Sequence, residues 1–219
     1  MKSIMERKST KKSPSKITEN TCAIAKTTAN QKIRAYVNKA RAHVIFQKGL
    51  GKGDAISAAV EHASALDVKY IVFVDADFTY PAEYLPEMIR ILEDNPDLGM
   101  VCGNRFNGHI HFGAMPNMFY VGNRLLAFIH NLLNGVHLSD PLTGLRVVRS
   151  EIVRGWRPKS KGFDIEVELN HRVENIGFRI MEMPIHYRRR LGKKKLRFGH
   201  GLTILMRIIK ECLQSPNQP

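Results

Sequence analysis

The chain has 219 residues, 43% apolar and 25% charged, which suits one domain with a core and argues against wholesale disorder. The net charge of +14 is concentrated at the ends, with twelve basic and two acidic groups in residues 1–48, thirteen against seventeen in 49–187, and seven cations without an acid in 188–197. With no recognition helix, RNP-like strand or aromatic-interleaved basic stripe, that distribution points away from nucleic acid and towards anionic lipid or a phosphate-bearing ligand.

In chain order, residues 1–30 are Lys-, Ser- and Thr-rich and read as a flexible basic tail. Residues 31–200 read as the folded domain. A short helix is expected over 32–42 and a strand over 42–46. "QKGLGKGD" forms a loop, after which Asp54 caps a helix carrying Ile56, Ala59, Val60, Ala63 and Leu66 at helical spacing. "KYIVFVDADFTYPAE" (69–83) reads as a fully buried strand running into two aspartates, followed by a Pro-started helix from 81 to 93. "LGMVCGNRF" is a further buried strand.

Residues 117–134 predict a long helix with Phe119, Leu125, Leu126, Ile129, Leu132 and Leu133 inward, closed by Gly135. "GLRVVRS" is a strand, 163–176 a helix, and "FRIMEMPIHY" a strand stopped by Pro184. Residues 201–219 read as an amphipathic helix and tail. Alternating strands and helices predict an α/β layered fold with a mostly parallel sheet, whose ligands sit off the carboxyl ends of the strands.

No apolar run approaches the roughly 18–20 residues that cross a bilayer, and no apolar segment follows the basic start as in a secretory signal. Cys22, Cys102 and Cys212 are scattered without CxxC spacing. That argues against a disulfide framework or zinc cluster and suits a reducing, cytoplasmic setting.

Asp75 and Asp77 are spaced i, i+2, so in extended backbone both carboxylates point one way. Two carboxylates that close repel unless a cation lies between them. A hard divalent ion, Mg²⁺ or Mn²⁺, answers that need and keeps positions open for phosphate oxygens. The alternative is a capping aspartate with a solvated neighbour. "VDADFT" also fits the hhhDxDxT pattern of haloacid-dehalogenase-like phosphatases, but the later acidic pair which that chemistry needs is missing, since Asp94 and Asp97 fall at a helix end and turn.

Over about Ala42–Leu196 the sequence resembles family 2 glycosyltransferases, most closely their dolichyl-phosphate hexose (mannose or glucose) synthase branch. The resemblance rests on an ordered series: "GLGKGDA", "VDADFTYPAE", "GNRF", "GNRLLAFIHNLL", "SDPLTGLRVVR", "KGFDIEVEL" and "EMPIHYRRRLGKKKL". It implies a GT-A-like, Rossmann-related fold that binds a nucleotide-sugar donor and a polyprenyl phosphate acceptor. The metal would be held by Asp75, Asp77 and Thr79, the last standing where the branch often has Gln. Asp77, Asp140 and Arg188 are the catalytic candidates. The donor would meet Lys52, Gly53, Asp75, Ala76, Asp77, Arg105, Arg124, Arg190 and Lys195. Arg188, Arg190 and Lys193–Lys195 match the family's R-x-G-x-S-K-L loop, with Lys194 at its Ser.

The residues themselves leave alternatives open. Gly51 and Gly53 beside Lys52 before a helix N-terminus suit an anion, or form a plain loop. Arg105 and Arg124 could grip diphosphate or make ion pairs. Asp140 could line the acceptor side or cap a turn. A phosphate monoester is mostly dianionic at neutral pH, its second pKa being roughly 6, so such an acceptor needs positive charge more than a general base.

The family ordinarily opens with strands ending near P-x-Y-N-E and D-D-G-S. Residues 1–41 resemble neither, and "TCAIAK" (21–26) reads as too short and polar for a buried strand. The sheet is therefore expected to lack its first strands, and the chain alone to bind nucleotide poorly. The competing reading is a truncated, non-catalytic remnant that binds a membrane or a protein partner. Membrane contact would be peripheral, at a cytosolic face, through the basic ends and the 201–213 helix.

Overall fold

A computed structural model describes residues 22–25, 43–135, 137–191 and 199–214; the 32–42 helix, Lys193–Lys195 and all of the expected 1–30 tail except 22–25 lie outside them. The strands are β1 (Cys22–Ala25), β2 (His43–Phe46), β3 (Tyr70–Phe73), β4 (Leu98–Asn104), β5 (Arg146–Arg149) and β6 (Arg179–Pro184). The helices are α1 (Lys52–Ser64), α2 (Leu85–Asp94, entered through a 3₁₀ turn at Ala82–Tyr84), α3 (Asn117–Asn134), α4 (Ser150–Val153), α5 (Ile165–Asn175) and α6 (Gly199–Gln214).

The main sheet has the order β3-β5-β4-β6. β5 is antiparallel to both β3 and β4, whereas β4 and β6 are parallel. The α/β layering stands, but the expected parallel sheet is corrected to a mixed one. A strand–helix–strand rhythm forces parallel strands only where the helix packs back across the sheet. α3 packs on α6 instead, so the chain re-enters β5 at the edge from which it left β4, with Cys102 opposite Arg146.

β1 corrects a second expectation: "CAIA" is a strand, paired in parallel with β2 from Cys22–His43 to Ala25–Phe46. Four residues suffice because the backbone partner, not the side-chain pattern, completes the ladder. β3 also differs from its reading, because it is an edge strand of the four-stranded sheet and Val72 and Val74 are 36% and 47% exposed.

Period-2 alternation sorts the two faces. Val101 and Val147 join Met88 and Leu92 of α2 on one side, while Met100, Cys102 and Val148 join Val60, Ile152, Leu169 and Val173 of α1, α4 and α5 on the other. A third cluster links α3, α5 and α6 through Leu126, Ile129, Leu133, Val167, Ile204 and Ile208. α3 ends at Gly135, whose φ of 63° is the left-handed stop glycine accepts. Of its expected inward residues, Leu125 and Leu132 are exposed, since the helix is apolar round more of its circumference than its neighbours cover.

Arg207 on α6 is buried and pairs with Asp164, Glu168 and Glu211. Arg146 is buried too, donating to the Pro141 and Thr143 carbonyls and to Asn170 Oδ1, and so fixes the turn before β5.

His130 on α3 and His171 on α5 pack with ring centroids 5.6 Å apart. Burial, aided by His171, lowers His130 from 6.5 to about 4, and burial lowers His171 to about 4. Arg146 also disfavours charge on His130. Between these values the unfolded chain takes up protons that the fold refuses, so stability falls as pH drops from about 6.5 to 4 and these groups leave it flat above that window. The slope limit is about 1.4 kcal/mol per pH unit per histidine. In urea denaturation at pH 7 and pH 5, His130→Leu should lose up to about 2 kcal/mol less on acidification than the parent; equal losses would contradict this account.

Candidate active site

β3, β4 and β6 run the same way, so their carboxyl ends and the start of β5 share one sheet edge. The loops 74–81, 105–116, 139–145 and 185–191 meet there. β3 ends at Phe73, which puts Asp75 and Asp77 in the turn beyond it rather than on the strand. Phe78 takes φ 72°, a left-handed conformation costly for a bulky residue. That turn folds Thr79 back onto Asp77, with Oγ1 and N–H donating to Asp77 Oδ1 at 2.5 and 3.1 Å.

Each aspartate faces a protein cation. Lys52 Nζ lies 2.8 Å from Asp75 Oδ1 and 2.5 Å from Glu166 Oε1. Arg190 Nη1 lies 2.5 Å from Asp77 Oδ2. Burial alone would push the Asp75 carboxyl up, but Lys52, Arg190 and Arg105 hold it below the usual range. Burial would lower Lys52, yet Glu166 and Asp75 raise it well above an ordinary lysine. The two carboxylates thus take different cations as partners, Lys52 for Asp75 and Arg190 for Asp77; the extended backbone on which the i, i+2 reading rested is a turn here.

The basic segment after β6 is docked on this turn: Arg188 N–H donates to the Thr79 carbonyl at 2.9 Å and Leu191 N–H to the Asp77 carbonyl at 3.0 Å. Arg188 itself bonds Glu83 at 2.9 Å and lies 5.3 Å from the Phe78 ring centre. Lys195 lies outside the described residues.

Arg105 and Asp140 meet each other. Arg105 Nε and Nη2 donate to the two Asp140 oxygens at 2.7 and 2.6 Å, and its backbone N–H adds a third bond. Both are buried. Beneath them Glu182 accepts from the Ser139 and Asp140 amides at 2.7 and 2.6 Å and from Asn104. Tyr80, edge-on to Tyr187, accepts from Gly144 N–H at 2.7 Å. Arg124 stands at the rim, 5.5 Å from the Phe106 ring centre and at the Ser139 carbonyl.

Asp54 is not a helix cap: it sits in the first turn of α1, with Gly51 at the cap position, and accepts from Gly49 N–H at 2.7 Å. Gly51 and Gly53 face protein rather than open space, since a Cβ would lie 2.1 Å from the Lys161 carbonyl and 2.0 Å from that of Ser160. Gly53 N–H donates to the Lys161 carbonyl. Both glycines let the 160–162 loop close on α1 and present Lys52 to Asp75.

Two features bear on whether a divalent ion fits. Among the described residues no third histidine, cysteine or carboxylate completes a protein-only cage, so an ion would draw most ligands from phosphate and water, as Mg²⁺ does. A Cβ on Gly144 would lie 2.6 Å from Asp75 Oδ2, so that glycine keeps room at the carboxylate. The Asp75–Asp77 pair suits a hard ion; the Thr79 hydroxyl is engaged in orienting Asp77. Sequence reasoning missed Glu166, Glu182, Tyr80 and Gly144, which stand alone in their segments and gain meaning only from distant partners.

The glycosyl transferase family 2 model matches residues 15–157, beginning well before Ala42 and taking in β1. A dolichyl-phosphate hexose transferase of Haloferax volcanii is 35% identical over 179 residues, covering 80% of this chain and 74% of that protein. An undecaprenyl-phosphate mannosyltransferase of Micrococcus luteus is 28% identical over 157 residues, covering 68% and 62%. Glucosyl-3-phosphoglycerate synthase of Mycobacterium tuberculosis, solved with Mn²⁺, UDP and glucosyl-3-phosphoglycerate, superposes with a TM-score of 0.68 at 15% identity over 91% of this chain and 70% of that one, a likeness of fold.

The Arg105–Asp140 geometry predicts a double-mutant outcome. Asp140→Asn alone should cost about 3 kcal/mol or more, because it leaves a buried guanidinium unpaired. Adding Arg105→Met should recover much of that loss in urea denaturation; additive losses would show that the pair is not coupled.

Proposed function

The chain belongs to glycosyl transferase family 2, and on that premise we propose that it moves a hexose from a nucleotide-sugar to a polyprenyl phosphate, inverting the anomeric carbon. The observation that carries this reading is the Asp75–Asp77 pair at the carboxyl edge of the sheet, faced by Lys52 and Arg190 and held by the backbone of Arg188 and Leu191. The 35% identity to a protein named for dolichyl-phosphate hexose transfer supports the acceptor.

Asp75 and Asp77 would hold Mg²⁺ or Mn²⁺, which when bound supplies charge neutralisation for the departing diphosphate. The acceptor's phosphate oxygen attacks the anomeric carbon as the bond to the diphosphate breaks, and the nucleoside diphosphate leaves with that electron pair. No proton has to be removed from a dianionic nucleophile. Asp140 agrees with this, since Arg105 takes both its oxygens. Arg190 orients the donor diphosphate, while Arg188, whose guanidinium goes to Glu83, braces the segment that carries it.

A lipid acceptor requires access to a bilayer, and no helix among the described residues is long and apolar enough to cross one. Met118, Val121, Leu125, Phe128 and Leu132 form an exposed stripe on α3 at 3- and 4-residue spacing, and Leu202, Met206, Ile209 and Leu213 form one on α6. Arg124 beside the first and Lys210 beside the second are exposed cations, a combination suited to lying on an anionic membrane surface.

Two outcomes are expected. With Mn²⁺, short-chain polyprenyl phosphate and a panel of UDP- and GDP-hexoses, one donor should yield glycosyl phospholipid, and Asp77→Ala should lower the rate at least about 100-fold. No product with any donor would favour the remnant reading. In flotation assays the chain should bind anionic vesicles, and Phe128→Ser with Leu132→Ser should weaken binding about tenfold at unchanged stability; unaltered flotation would exclude α3 as the contact.

A further inference from the structure

The carboxylates assigned to the metal are already matched by cations from the protein. Asp77 Oδ1 receives Thr79 Oγ1–H and N–H, Asp77 Oδ2 receives Arg190, and Asp75 Oδ1 receives Lys52. Thr79 is fully buried and local. Lys52 is shared with Glu166, whose side chain is 7% exposed. Arg190 differs: it reaches in from the rim with a side chain 30% exposed, while the Arg188 and Leu191 amides keep its backbone docked. Its guanidinium can turn away without the segment letting go.

We propose that Arg190 is an exchangeable counter-ion. It leaves Asp77 when a divalent cation takes that carboxylate and turns to the diphosphate arriving with the ion. This rests on the metal-and-diphosphate reading above and adds an interdependence. An ion binding by itself must displace Arg190 with nothing offered in return. An ion binding with a nucleoside diphosphate gives the guanidinium a bidentate anionic partner. Metal and nucleotide therefore tighten each other by one common factor, as reciprocity requires. Arg188 takes no part in the exchange, because its guanidinium pairs with Glu83 and not with either aspartate.

Mn²⁺ binding followed by the electron paramagnetic resonance of the free aquo ion, with and without UDP or GDP, tests the exchange apart from activity. Arg190→Gln should tighten nucleotide-free Mn²⁺ binding about threefold or more and shrink the enhancement by nucleotide, because the competing partially exposed ion pair is gone. Arg188→Gln removes the same charge from the same loop without touching Asp77, and should change nucleotide-free affinity by less than about twofold. If Arg190→Gln binds no more tightly than the parent, or if the two variants behave alike, the exchange is wrong. If the parent binds no Mn²⁺ even with nucleotide, the metal reading itself fails, and this inference with it.

Discussion

β5 runs against β3 and β4, and that reversal determines where the functional loops lie. A parallel crossover would have carried residues 105–145 over a face of the sheet and delivered the chain to the opposite edge. The chain instead spends those residues beyond the carboxyl ends of β3 and β4 and re-enters at Arg146, opposite Cys102. Asp75, Arg105, Asp140 and the Tyr187–Leu191 segment consequently share one rim. Arg146 secures the re-entry by holding the 141–143 turn and Asn170 at once. Burying its charge costs several kcal/mol, which only this full set of acceptors offsets.

The rim is a lattice of opposite charges whose members differ in burial. Asp140 with Arg105 and Glu166 with Lys52 lie deeper, the first pair joined by three hydrogen bonds and the second through a lysine shared with Asp75. Arg190 and Arg188 stand further out. Deep pairs lose rigidity only at the cost of a stranded charge, whereas outer pairs are screened and inexpensive to exchange. A site graded in this way holds its floor still while its rim answers to ligands, the arrangement that electrostatic preorganisation requires.

The regular elements were legible because their side chains repeat. The short apolar runs of β4 and β5 and the 3.6-residue pattern of α1 and α3 place helices and strands within a few residues of their observed bounds. The aspartate pair was legible because two acids at the end of an apolar run lack a local excuse. What could not be read depends on distance in sequence. Glu182 is an ordinary exposed-looking residue of a strand until Ser139 and Asp140 are laid over it. Gly51 and Gly53 read equally as an anion site or a plain loop, because a glycine admitting a carbonyl of residues 160–161 and one admitting an anion leave the same trace. The sheet direction failed for a similar reason, since the helical pattern of α3 says nothing about which surface receives it.

α3 and α6 are apolar on more sides than the fold covers, and contiguous apolar surface is costly to leave in water. On each helix one stripe closes the third cluster against α5 and the other faces outward. A bilayer-bound acceptor would make that outer surface useful, because it brings its phosphate group to the protein at the height of the headgroups. Lateral encounter along a membrane then replaces deep engulfment of a long chain. On the proposed reading the site would need only to receive the phosphate end, which a cationic rim and an Asp140 already engaged by Arg105 would suit. A hydroxyl acceptor would reverse the requirement: it needs a free base, and a carboxylate gripped at both oxygens by a buried guanidinium is poorly suited to that task. The proposed phosphate nucleophile is thus in keeping with how completely Arg105 occupies Asp140, and the proposed lipid carrier with the apolar faces that the core leaves outside.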